Sequence, residues 1–197
     1  MPTCWTKSSR SFRAHSSTSG DECPEDEWRA SDSAQATMLA LGLASEDELT
    51  SWVIRQMADD LSDRGRRLVG WDELLEGGLP AGATMMSWRG DSGGVVAAEA
   101  GLDVILTPES HTYLYRHQSD DRTREVAGGP PILDLATVYS YDPMPAGLSD
   151  RARQRVPGCQ CQMWTEFVST PRQMEQKLYP RVVRVCGVCV VHRPRSL

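Results

Sequence analysis

Asparagine is absent from this chain, and of its 21 basic residues only Lys7 and Lys177 are lysine. The codons of Asn and Lys are AT-rich, so the skew toward Arg reads as GC-rich coding sequence. It is no sign of a nucleic-acid partner, and a net charge of −6 argues against polyanion binding. Long apolar runs are missing too. None approaches the ~20 residues of a membrane span, which argues against a membrane protein. The polar, Ser-rich start has no signal-peptide core. As written, the expected location is the cytoplasm; the secretion route of a parent enzyme is left open. Acids are absent from residues 1–20 and 181–197, so all 27 lie between these basic edges.

What is present reads as alternating helix and strand. Residues 32–41 and 45–66 have helical patterning. In the second, Ser45 suits an N-cap, Glu48 stands at the capping-box position, and Leu49, Trp52, Val53, Met57 and Leu61 form an apolar stripe. Residues 67–71 and 83–88 read as strands, 93–101 as a short helix, and 103–106 as a strand closed by Thr107-Pro108. A long Asp-, Gly- and Pro-rich connection covers 117–157, with 146–155 helical. Residues 159–164 read as the last strand, and a helix opens at Pro171. This order predicts an α/β fold with a parallel sheet.

Short apolar runs that end in aromatic or acidic residues recur along the chain. Gly20-Asp21-Glu22 precedes a helical segment. Downstream come Arg67-Leu-Val-Gly-Trp71, Met85-Met-Ser-Trp88, Ser110-His-Thr-Tyr113 and Met163-Trp164-Thr-Glu166. Successive strands of a (β/α)8 barrel deliver side chains to one face in this way. In this order, from about Gly20 to Arg181, the motifs resemble the catalytic domain of family-20 glycoside hydrolases, the β-N-acetylhexosaminidases. The resemblance implies a partial (β/α)8 barrel, roughly strands 4–8 with the first strands missing, since a whole barrel takes roughly 250 residues.

It also implies the chemistry. Most glycosidases use two separated carboxylates, whereas substrate assistance is the recognised exception. In this family the 2-acetamido oxygen of the sugar attacks the anomeric carbon, with net retention. By resemblance Glu22 is the general acid and then the base, and Asp21 orients the acetamide and stabilises the developing cation. A neighbouring anion raises the pKa of an acid, which suits Glu22. The alternative for this pair is a solvated helix N-terminus. Trp71, Trp88 and Trp164 match the walls around the acetamide and sugar ring, Tyr113 the donor to the acetamide oxygen, and Glu166 an acceptor for sugar hydroxyls. Trp28 and Trp52 read as structural. The family commonly carries Asp two residues after that Tyr; here Tyr115 stands there, a neutral phenol. Asp72-Glu73 and Asp120-Asp121 read as solvent-facing loop acids.

The implied partners are glycans bearing N-acetylglucosamine or N-acetylgalactosamine, or chito-oligosaccharides, with neither metal nor organic cofactor. Residues 20–183 are expected to form the partial catalytic barrel. Residues 1–19 and 184–197 are expected to be an out-of-frame leader and tail, because neighbouring frames can encode what the family carries there; the alternative is a basic arm at each end. The isolated chain is expected to be inactive or nearly so and prone to aggregate, and a non-catalytic sugar-binding remnant is the alternative function. Cys159-Gln-Cys161 and Cys186-Gly-Val-Cys189, with Cys4 and Cys23, could suggest zinc or redox chemistry. The C-x-C spacing is atypical of such sites, so these are expected to be incidental thiols.

Overall fold

Local signals set the first helices. The computed structural model describes residues 16–18, 25–76, 78–121 and 123–189. Helix α1 spans Glu25–Ala30 and α2 Asp32–Leu41. Ser31 caps α2, its hydroxyl accepting from the Ala34 N–H at 3.3 Å. Helix α3 spans Glu46–Asp63 behind Ser45, whose hydroxyl accepts from the Glu48 N–H. The Glu48 carboxylate reaches back to the Ala44 N–H at 2.8 Å, one residue beyond the expected capping-box partner. The helix stops at Asp63, short of the expected Arg66. Gly65 takes a φ of +66° and the Arg66 N–H returns to the Leu61 carbonyl, a left-handed stop that glycine makes without strain.

The strands are β1 (Ser16–Thr18), β2 (Arg67–Trp71), β3 (Thr84–Ser87), β4 (Asp103–Leu106) and β5 (Gly158–Cys159). They follow chain order in the sheet. β1 runs parallel to β2 with Ser17 opposite Leu68, and β4 runs parallel to β5 with Leu106 opposite Cys159. The molecule is therefore α/β with parallel strand pairs. Two compact units divide within β3, at Met85 and Met86.

In the first unit, α3 packs on β2. Ala34, Met38 and Leu49 form a buried cluster edged by Trp28, Leu43 and Trp52. Both of these Trp residues serve the core, and the Trp28 indole N–H donates to the Thr50 hydroxyl at 3.0 Å. After β2 a 3-10 turn spans Asp72–Leu75. Asp72 was expected in solvent but is buried, because the turn follows directly from the buried end of β2.

In the second unit, α4 (Asp91–Glu99) lies on β4. It begins two residues ahead of expectation and passes so close that a Cβ at Gly94 would stand 2.8 Å from Leu106. The short α5 spans Glu109–Thr112. The long connection contains α6 (Leu135–Ser140), which its weak periodicity did not announce, and α7 (Asp150–Arg153). Helix α8 spans Pro171–Leu178 and α9 Arg181–Cys189. Leu114, Leu133, Val138 and Val185 form a core flanked by Cys159, Cys161 and Met163.

The last strand is shorter than the expected 159–164. Pro108 has no N–H and α5 starts at Glu109, so β4 offers no ladder beyond Leu106. Pairing resumes only as an isolated bridge between Tyr113 and Gln162. Cys159 is disulfide-bonded, which corrects the expectation of free thiols for that residue; Cys161 and Cys186 are free. Among the described residues no helix is long and apolar enough to cross a membrane, and no three His, Cys, Asp or Glu side chains gather as metal ligands.

Candidate active site

The second unit gathers aromatic side chains from segments far apart in sequence. Trp88 follows β3, Tyr113 follows α5, and Trp164 follows the bridge at Gln162. Tyr113 is held from both sides. The Gln162 N–H donates to the Thr112 carbonyl and the Leu114 N–H to the Gln162 carbonyl, each at 2.9 Å. The Thr112 hydroxyl donates to the Pro108 carbonyl, and the Glu109 N–H to the Trp88 carbonyl. These bonds couple the backbone carrying Trp88 to that carrying Tyr113.

The rings meet as those anchors dictate. Tyr113 lies nearly parallel to Trp88, centroids 6.5 Å apart, and edge-on to Trp164 at 6.3 Å. Tyr113 is buried while Trp164 remains 39% exposed. The result is an aromatic wall with one open member. Such a wall presents apolar faces, with the Trp N–H and Tyr O–H groups as its polar points. The structure therefore brings together three of the side chains that the sequence singled out. Glu166 is exposed, two residues beyond Trp164. Trp71, in the first unit, is buried at the end of β2. Asp21 and Glu22 lie outside the described residues.

Two further features escaped the sequence reading. Tyr115 tilts against Tyr113 at 6.1 Å and stacks on Phe167, also at 6.1 Å with an interplanar angle of 16°. Beyond the wall, His111 stacks on the buried Tyr141, and the Tyr141 hydroxyl donates to Asp91 at 3.4 Å. Burial pushes the Asp91 carboxyl up from its usual range, against the pull of Tyr141 and His111. Burial and the Asp91 charge likewise raise the Tyr141 hydroxyl, so it stays a neutral donor. Ser110-His-Thr-Tyr113 resembles the family through its Tyr, and its His reaches this cluster.

A buried polar knot supports the wall from behind. Arg181 donates to the carbonyls of Leu133 (2.7 Å), Leu114 (2.5 Å), Arg116 (3.3 Å) and Lys177 (2.6 Å). Burial lowers its pKa to about 10, with the Glu125 charge opposing, so it remains a cation at neutral pH. Glu125 accepts from the Gln118 and Ser119 N–H groups and the Ser119 hydroxyl, and faces Lys177 at 3.5 Å. Burial alone would raise Glu125; those donors together with Lys177 hold it below the usual carboxylate range. Arg116 pairs with Glu109 at 2.6 Å. Isolated Arg, Glu and Lys positions in a loop and a helix gave no pattern from which this knot could be read.

The comparisons agree with the sequence motifs. Glycosyl hydrolase family 20, catalytic domain, matches residues 8–188. A β-hexosaminidase of Porphyromonas gingivalis is 43% identical over 84% of this chain, and one of Vibrio furnissii 32% identical over 85%. The chain spans 21% and 28% of their respective lengths. The structure of a family-20 exo-β-N-acetylglucosaminidase from Vibrio harveyi in complex with N-acetylglucosamine superposes with a TM-score of 0.81 at 27% identity, covering 96% of this chain and 30% of that one. On this evidence the chain belongs to the catalytic domain of glycosyl hydrolase family 20.

Proposed function

We propose that the chain carries part of the sugar-binding and catalytic apparatus of a β-N-acetylhexosaminidase, roughly strands 4–8 of its barrel. The reaction is removal of terminal β-linked N-acetylglucosamine or N-acetylgalactosamine with retention. The observation that carries the reading is the Trp88–Tyr113–Trp164 wall, in a chain whose residues 8–188 match the family-20 catalytic domain.

The physical chemistry of those rings suits the task. A pyranose presents an apolar C–H face, which an indole covers at little desolvation cost. A phenol fixed like Tyr113 can donate to an acetamide oxygen and align it for attack on the anomeric carbon. By resemblance, Glu22 protonates the leaving oxygen and later activates water, and Asp21 stabilises the positive charge of the cyclised intermediate. A carboxylate serves such a charge best in a dry site. By resemblance, Trp71 is also a sugar-binding residue of the family, and Glu166 accepts from sugar hydroxyls.

Titration of the full chain with N-acetylglucosamine, followed by Trp fluorescence, tests the reading. Saturable binding is expected for N-acetylglucosamine and not for glucose, and Trp164→Ala should abolish it. A response that does not distinguish the two sugars would overturn the assignment. Release of chromophore from an N-acetylglucosaminide tests turnover directly.

A further inference from the structure

Side chains alternate along the segment that closes the sheet. Cys161 and Met163 pack against the core that holds Leu114, Val138 of α6 and Val185 of α9. Gln162, between them, faces the other way. It stands opposite Tyr113 in the parallel bridge, and bridged partners send their side chains to the same side. Trp164, one alternation further on, meets the Tyr113 ring from that side as well. Gln162 therefore lies at the foot of the aromatic wall, on the face that carries its rings.

Its amide finds no acceptor there. Gln162 is 7% exposed, and its Nε2 is buried without a hydrogen-bond partner among the described residues. The backbone at this position is fully used: the Gln162 N–H donates to the Thr112 carbonyl, and the Gln162 carbonyl accepts from the Leu114 N–H. Folded chains rarely leave a buried donor unmet, because nothing replaces its lost hydration. An apolar side chain of the same length would fill the space without that penalty. The last torsion of a glutamine is broad and two-fold, so the amide can turn toward a ligand while the strand stays fixed.

We propose that Gln162 is a sugar-binding residue of this site, its side-chain N–H donating to an oxygen of the N-acetylhexosamine received at the wall. This rests on the glycosidase reading above and adds a contact that none of the sequence motifs supplied. The acceptor is an oxygen of the sugar, the acetamide carbonyl or a hydroxyl, either of which suits a neutral amide donor. Aromatic faces hold a pyranose without fixing its rotation, whereas a donor on the strand beneath them sets its orientation. The bound sugar then satisfies the group that folding leaves unmet. Removing the amide should therefore weaken the complex without weakening the free fold.

The test is NMR of the full chain carrying isotope-labelled glutamine, titrated with N-acetylglucosamine. The Gln162 side-chain amide protons should move downfield as the sugar saturates the site. Gln162→Met keeps the length of the side chain and removes the donor. It should melt no lower than the wild type, yet bind N-acetylglucosamine about tenfold more weakly, the worth of one neutral hydrogen bond. A thioacetamide analogue identifies the acceptor, because sulfur accepts poorly. If the acetamide carbonyl is bonded, the preference for oxygen over sulfur falls in Gln162→Met; if a hydroxyl is bonded, it stays the same, and either result puts the donor on the sugar. If Gln162→Met yields no folded chain, the wild-type titration decides alone. Amide signals that the sugar leaves in place, an affinity that Gln162→Met does not lower, or one lost only in step with the melt overturns the contact and leaves the glycosidase reading standing. A wild type that binds no N-acetylglucosamine overturns both.

Discussion

Tyr113 is the most tightly specified side chain of the wall: backbone bonds fix its neighbours on each side, and its ring meets Trp88, Tyr115 and Trp164. If its hydroxyl aligns the acetamide, Tyr113→Phe should cost ~2–4 kcal/mol of transition-state stabilisation, the usual loss for one such donor. The measurement is affinity for a thiazoline mimic of the cyclised intermediate beside that for N-acetylglucosamine. An equal loss of both would mean that the hydroxyl does not act on the cyclising acetamide. In an enzyme with the missing strands restored, Glu22→Gln should lower hydrolysis of a substrate with a poor leaving group by ~10²-fold or more, and much less where the leaving group needs no proton. Kinetics on a pair of aglycones separates the cases, and equal effects would remove Glu22 from the acid role.

Elements carry the wall by close approach. Helix α4 reaches β4 because Gly94 leaves no Cβ in the gap, and Gly94→Ala should destabilise by ~1–3 kcal/mol through overpacking against Leu106 and Val104. Denaturant melts of the full chain would show it; a neutral result would mean that the helix shifts freely. Helix α8 starts on a complete capping box, with the Thr170 hydroxyl accepting from Gln173 and the Gln173 side chain from Thr170. Thr170→Ala should cost ~1 kcal/mol. Such caps were legible in advance: Ser45 and Pro171 were read correctly because their partners lie within four residues. The end of the last strand was not, because its pairing depends on where β4 stops.

At the scale of the whole molecule, the Glu125–Lys177–Arg181 knot ties the long connection to α8 and α9. The Glu125 carboxyl is held below its unfolded value, so the folded state binds its proton less readily than the unfolded chain. Its contribution to stability is present above the unfolded pKa, near 4.3, and is lost as pH falls through the lower folded value. Wild type should therefore exceed Glu125→Gln in Tm at neutral pH, and the gap should close in acid. A constant gap would show that the carboxylate's charge contributes nothing. Arg181→Leu should be more damaging at every pH, because it strands buried carbonyls that Arg181 now satisfies.

The sequence by itself determined the α/β character, the starts of α2, α3 and α8, and the family. Those rest on short-range caps, on periodicity and on motifs whose order along the chain is itself the signal. It also marked Trp88, Tyr113 and Trp164, because aromatics at the ends of apolar runs stand out in one dimension. Only the tertiary structure decided that Tyr115 stacks on Phe167, that Gly129 must be glycine, and that Asp72 is buried. It alone joined Glu125 to Lys177 across the long connection. The physical reason is range. Caps and turns act over a few bonds, whereas burial, ring stacking and ion pairing depend on which distant segments arrive at the same place.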